Sequence, residues 1–405
     1  IFLRGHPGDG GFVHPDVLGH IAQDQGLELG DAPVEELALV AEDGLHHLVN
    51  GALALVQAPD QPDRAAELFL HILAGQLGLP ALALVLAERN HDVALWEYFP
   101  DYAEIMAQKR ENIKFLKGVK LPEKIKITDD LKQAVERAEY IVLAVPSHVM
   151  RPFLKRAAGY NYKKALFISA AKGIEQKTLM RMSEVIKDTL GPVKTAVLSG
   201  PSHAEEVARR VPTTVVAAAK TGENTEKTQA LFFTQSFRVY SSNDVAGVET
   251  GGAVKNVIAI AAGILDGMKT GDNTKAALIT RGLAEMSRLG AAMGADSATF
   301  SGLSGLGDLV VTCQSRHSRN RFVGEELGKG RKIGEILKTM EMVAEGVKTT
   351  LSAYGLAKKY RVDMPITREV YEVIYRGKSP YESMGDLMKR SPRAEKEFLN
   401  KKKGR

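Results

Sequence analysis

Hydrophobic periodicity changes character partway along this chain, and that change restricts its fold more than any other feature. Short apolar or β-branched runs at Leu68–Leu73, Asp92–Trp96, Lys124–Ile127, Tyr140–Val145, Ala165–Ala170 and Thr195–Leu198 alternate with helix-like segments such as Pro80–Glu88, Asp129–Ala138 and Lys177–Leu190. Continuous apolar runs suit strands buried on both faces, and strands separated by helices pair in parallel. Thr128 is placed to cap the helix over 129–138. After Tyr240 strand signals nearly vanish. Helical periodicity then runs through Val248–Leu265, Thr274–Met293, Arg321–Lys329, Ile333–Thr339, Thr349–Lys358 and Ile366–Tyr375. The expected class is α/β, a doubly wound domain over 68–240 followed by an all-helical domain over 241–397, with the boundary at Ser241-Ser242-Asn243-Asp244. A cleft between two such domains is the expected place for a site.

Residues 1–67 fit neither pattern. The 405 residues carry a net charge of +5, yet the first 80 contain no lysine, two arginines and twelve acids, a balance of −10. Six of the ten histidines also fall there. Such a break predicts an unrelated extension over 1–67: a fusion, a start in the wrong frame or strand, or an assembly join, disordered or poorly packed against the rest of the chain. The basic tail at 398–405, with Lys401-Lys402-Lys403-Gly404-Arg405, reads as a solvated end rather than a nucleic-acid arm. One cysteine, Cys313, excludes an intrachain disulfide and favours a reducing compartment. No uninterrupted apolar run approaches the length of a membrane helix, and Ile1–Gly11 does not read as a secretory signal. The expectation is a cytoplasmic protein without membrane insertion or a nucleic-acid partner.

A doubly wound, Rossmann-like domain invites a dinucleotide, whose usual signature is G-x-G-x-x-G after the first strand. Here Leu73-Ala74-Gly75-Gln76-Leu77-Gly78-Leu79-Pro80 keeps Gly75 and Gly78 at the spacing of the second and third glycines. Leu73 stands where the first belongs, and Pro80 is unexpected and could exclude the pyrophosphate. Glu97, 22 residues after Gly75 at the end of the second strand, suits a ribose acceptor that favours NAD over NADP; a surface glutamate is the other reading.

In the helical half, Lys255 and Asn256 sit inside the small, apolar run Gly251–Gly263. A buried ammonium needs a partner or a cavity and is suited to exchange a proton with a substrate oxygen; an exposed lysine on an amphipathic helix is the alternative. Lys172 and the run Ser199-Gly200-Pro201-Ser202 fall at carboxyl ends of expected strands. Asp308, after a glycine-rich approach, can pair with a buried lysine in a site or in a structural ion pair. Ser318-Arg319-Asn320 offers donors to a phosphate at a helix start.

Lys172-Gly173, Ser199–Ser202, Gly252–Asn256, Gly271-Asp272-Asn273, Gly305–Asp308, Ser318–Asn320 and Val343-Ala344-Glu345-Gly346 occur in the order and spacing of one family. From about residue 81 to 397 the chain resembles the bacterial NAD(P)-dependent glycerol-3-phosphate dehydrogenases. The resemblance implies reduction of dihydroxyacetone phosphate to sn-glycerol 3-phosphate for phospholipid synthesis, with NAD or NADP as cofactor, in a homodimer. It implies Lys255 as proton donor and acceptor at C2. Lys172, Gly200, Ser202, Asp308, Ser318, Arg319 and Asn320 would line the substrate. Ala204, Val343, Glu345, Arg319 and Lys172 would contact the cofactor, beside Gly75, Gly78 and Glu97. Two alternatives remain: a non-catalytic remnant unable to hold the dinucleotide, or a related two-domain hydroxy-acid dehydrogenase.

Overall fold

The computed structural model describes residues 69–73 by their backbone, and 78–162, 164–340, 342–392 and 394–395 in full. The readings for 1–68, Gly75 and the tail at 398–405 lie outside the described residues.

Eight strands form one sheet: β1 (Phe69–Leu73), β2 (Asp92–Trp96), β3 (Ile125–Thr128), β4 (Tyr140–Leu143), β5 (Leu166–Ser169), β6 (Lys194–Ser199), β7 (Thr213–Ala219) and β8 (Phe237–Ser242). Their order is β3-β2-β1-β4-β5-β6-β7-β8, and only β6 and β7 run antiparallel. Alternate residues of the central strands enter opposite layers. Val142, Leu166 and Ile168 pack with Leu86 and Leu95 on one side; Ile141, Leu143 and Phe167 pack with Phe153 and Ile186 on the other. Burial on both faces is why these strands read as unbroken apolar runs. The layers are supplied by α1 (Gly78–Glu88), α2 (Pro100–Lys109), α3 (Leu131–Val135), α4 (Ser147–Ala157), α5 (Met182–Leu190), α6 (Ala204–Ala208) and α7 (Gly222–Phe232). Strand order reverses between β1 and β4, and such a switch point opens a crevice at the carboxyl ends of the strands.

Several local expectations are corrected. The side chain of Asp130, not Thr128, caps α3, accepting from the Lys132 and Gln133 N–H groups at 2.8 and 3.2 Å. Thr128 accepts from Asp130 N instead. Arg137, at φ 67°, leaves helical space, so the helix is shorter than 129–138. Likewise α5 begins only at Met182, because Leu179 has φ 61° and Ile174 bridges back to Arg181. Strands β7 and β8 went unread; β7 ends in three alanines, which carry no β-branched signal. Ser241 and Ser242 finish β8, and Asp244 caps the next helix through Gly247 N.

That helix, α8 (Val245–Gly267), is buried from Gly247 to Leu265. By length and composition it would cross a membrane, but the whole of its apolar window is enclosed by protein. Around it lie α9 (Asp272–Ala292), a 3-10 turn (Ser297–Ser301), a π turn (Leu303–Gly307), α10 (Asp308–Gln314), α11 (Arg319–Gly328), α12 (Ile333–Lys338), α13 (Glu345–Tyr360), α14 (Pro365–Arg376) and α15 (Pro380–Met388). The packing of α8 against α11 is backbone to backbone. A Cβ on Gly324 would collide with Ile260 O, and one on Gly263 with Arg321 O. Neither carbonyl can swing away, because each belongs to a helix. Gly324→Ala is therefore expected to destabilise the protein by about 1–3 kcal/mol, the usual cost of overpacking. Urea unfolding checks this; an unchanged midpoint would show that the two helices separate freely.

Candidate active site

Burial decides the character of Lys255. It projects from the middle of α8 with 4% exposure, and Asp308, the first residue of α10, is 1% exposed. Its Nζ donates to Asp308 Oδ1 and, at 2.6 Å, to Thr312 Oγ1. Thr312, one turn beyond Asp308, donates its own hydroxyl hydrogen bond to Asp308 O at 2.6 Å. Lys172, just past β5, donates to Asp308 Oδ2 at 2.8 Å and to Gly200 O at 2.7 Å. One carboxylate thus holds two ammonium groups.

The balance of charge sets the protonation. Burial pushes the Asp308 carboxyl up, but Lys172 and Lys255 outweigh it and hold it below its ordinary value. For Lys255, burial pulls down, Asp308 pulls up and Lys172 pulls down again, leaving it at about 8. An amine with that pKa can give or take a proton near neutral pH.

The start of α11 forms a second wall. Ser318 caps it by accepting from Arg321 N at 3.2 Å. First-turn N–H groups have no partner within their helix, so this end suits an anion. Arg319 reaches across to donate to Val343 O at 2.9 Å. The side chain of Asn320 is already committed: Nδ2 donates to Asn256 Oδ1 at 2.9 Å, and Oδ1 accepts from Gly346 N at 2.8 Å. One Nδ2 hydrogen and one Oδ1 lone pair are thereby taken, which fixes the orientation of the amide at the cavity wall. Asn256 Nδ2 donates to Lys172 O at 3.4 Å, so these two amides tie α8, α11 and α13 to the strand end.

On the opposite side Gly78 opens α1 beside Ala144 at the end of β4. Pro80 is the third residue of α1, in the turn where a missing N–H costs nothing, and it does not line the cavity. Glu345, first residue of α13, accepts from Ser147 N and Oγ at 3.3 and 2.6 Å. Burial raises its pKa against those two hydrogen bonds.

One cavity is lined by Gly78, Lys172, Ser202, Ala204, Lys255, Ser318, Arg319, Asn320, Val343 and Glu345. Gly200 and Asp308 join it through Lys172. Glu97 stands apart, following β2, where its Oε1 accepts from Phe99 N at 3.2 Å. The cavity also takes in Thr312 and His203, to which sequence reasoning gave no role, and Asn256, which it named only as the neighbour of Lys255. Thr312 had a signal: it lies four residues after Asp308, on the same helical face.

A doubly wound sheet with a cavity at its switch point, closed by a helical domain that carries a buried lysine, defines a two-domain dinucleotide-dependent dehydrogenase. Comparison with known proteins narrows this. The model for the N-terminus of NAD-dependent glycerol-3-phosphate dehydrogenase matches residues 72–225, and that for its C-terminus matches 244–385. The match therefore starts upstream of residue 81 and includes the altered loop at Leu73–Pro80. Glycerol-3-phosphate dehydrogenase (NAD(P)+) of Prosthecochloris aestuarii is 50% identical over 325 residues, 80% of this chain and 98% of that protein. Its counterpart in Citrifermentans bemidjiense is 50% identical over 333 residues, 82% and 99% of the two chains. The solved glycerol-3-phosphate dehydrogenase of Coxiella burnetii superposes with a TM-score of 0.78 at 37% identity, covering 80% of this chain and 99% of its own. The chain belongs to the NAD-dependent glycerol-3-phosphate dehydrogenase family.

The ion triad has a consequence for folding. Asp308→Asn leaves two facing ammonium groups without a counter-charge, and breaking a buried pair in this way costs about 3–5 kcal/mol. Denaturant unfolding at neutral pH should show that loss, and a smaller one at alkaline pH, where Lys255 sheds its proton. A loss independent of pH would mean that charge is not what Asp308 contributes.

Proposed function

We propose that Lys255 exchanges the proton at the C2 oxygen while hydride passes between the nicotinamide and C2 of dihydroxyacetone phosphate or sn-glycerol 3-phosphate. The observation that carries this is the placement of a buried, Asp308-paired lysine in a cavity whose other wall is the anion-suited start of α11. The chain's residues fit a dinucleotide: the cavity reaches the β1/β4 switch point, and Glu345 Oε1 is buried there with no hydrogen bond to a described residue. Gly78, Ala204, Val343 and Glu345 would hold it, and when bound it supplies or accepts the hydride.

In the reducing direction the protonated Lys255 polarises the carbonyl and gives its proton to the developing alkoxide. Asp308 keeps that ammonium aimed, Thr312 fixes a second of its three hydrogens, and Lys172 adds positive charge beside the same oxygen. The phosphate takes the N–H groups at the start of α11 together with Arg319. Glu97, at the end of β2, supports NAD over NADP, since a carboxylate there would repel a 2′-phosphate. With this reading go a cytoplasmic location, a supply of glycerol 3-phosphate to phospholipid synthesis, and a homodimer.

Oxidation of NADH by dihydroxyacetone phosphate tests the reading. Reduction needs Lys255 protonated, so kcat/KM should fall as pH rises through about 8; oxidation of glycerol 3-phosphate needs it neutral and should rise through the same value. Lys255→Met should lower kcat by roughly 10²–10⁴, the usual weight of a positioned acid–base. A variant as fast as the parent would remove Lys255 from the chemistry.

A further inference from the structure

Dihydroxyacetone phosphate offers three polar groups: a phosphate, the C2 oxygen, and a hydroxyl on C1. On the reading proposed above, on which this inference rests, the first two already have partners. The hydroxyl carries a proton and, among so many donors, needs an acceptor. Lys172, Lys255 and Arg319 are donors only. Thr312 is spent between Lys255 and Asp308 O, and the Asn256 and Asn320 amides bond one another. Ser202 Oγ, only partly buried, donates to Gly200 O at 3.1 Å, and its lone pairs accept from water and ligand alike.

His203 is different. It immediately precedes α6 without capping it through its side chain, lines the same cavity, and its Nε2 is buried with no hydrogen bond to any described residue. Its ring lies 6.0 Å from that of His317, which leads into Ser318, so it stands near both the lysines and the phosphate wall. Burial, then Lys255, then Lys172 lower its pKa to about 4. The imidazole is neutral under working conditions, and one of its ring nitrogens is an acceptor. With the proton on Nδ1, the enclosed and unpartnered Nε2 is the nitrogen that accepts.

Two other buried lining atoms lack a hydrogen bond to a described residue, Ser199 Oγ and Glu345 Oε1. Ser199 Oγ is covered by α8 at Gly252. Glu345 is held by Ser147 on the side the dinucleotide would take. We propose that His203 is a specificity-determining residue, whose Nε2 accepts the hydrogen bond of the C1 hydroxyl of the triose phosphate.

The test compares dihydroxyacetone phosphate with hydroxyacetone phosphate, its 1-deoxy analogue, which keeps the carbonyl and the phosphate but ends in a methyl group. A site that hydrogen-bonds a substrate hydroxyl rejects the analogue lacking it, here by roughly tenfold or more in kcat/KM. His203→Leu should lower kcat/KM for dihydroxyacetone phosphate and leave the analogue nearly unchanged, closing most of that gap; undiminished turnover of the analogue also shows that the variant is folded. His203→Phe provides the same comparison should the leucine variant not fold. Equal losses on both substrates, or no loss on either, would overturn the assignment. Failure of the parent chain to turn over dihydroxyacetone phosphate would overturn the reading of the site, and this inference with it.

Discussion

Asp308, itself buried, stands between two ammonium groups: that of Lys172, just past a strand end and still partly exposed, and that of Lys255, buried inside a helix. Lys255 or Asp308 alone would be costly to bury; together with Lys172 they form a set in which every buried charge has a partner. That requirement couples the two halves of the molecule. Lys172 belongs to the sheet, Lys255 and Asp308 to the helical layer, and the ion set closes only when β5, α8 and α10 stand in register. The residual positive charge is what a phosphorylated carbonyl substrate requires.

Around this set, neutral contacts do the aiming. The glycines of α8 and α11 bring two backbones together, which fixes where the anion-suited start of α11 lies relative to Lys255. The Asn256–Asn320 amide pair then ties that start to Gly346 and to Lys172 O. A long apolar helix with a lysine in its centre is thus the framework of a site, and its membrane-like composition reflects complete burial within the protein.

Much of this was legible in the residues, for reasons that can be stated. The strand Asp92–Trp96 has its expected bounds because residues 93–96 are apolar and buried on both faces, while Asp92 marks its exposed start. Lys255 and Asp308 stood out because charge inside small apolar or glycine-rich runs demands a partner. The misses have physical causes too. Thr128 and Asp130 are both good caps, and only backbone geometry chooses between them. Nothing local marked His203, since burial of its ring nitrogen is created by elements far apart in the chain.

Catalysis of this kind requires Lys255 to be a buried amine whose proton is loosely enough held to be exchanged with substrate. Nitrogen-detected NMR of the lysine side chains, with Lys255→Met used to assign the signal, measures this directly. The expected result is a Lys255 titration centred near 8, well below the ordinary lysine value of 10.5, in the folded protein. A titration at or above 10.5 would contradict the mechanism, because the lysine would then be a fixed charge and could not serve as the proton donor and acceptor.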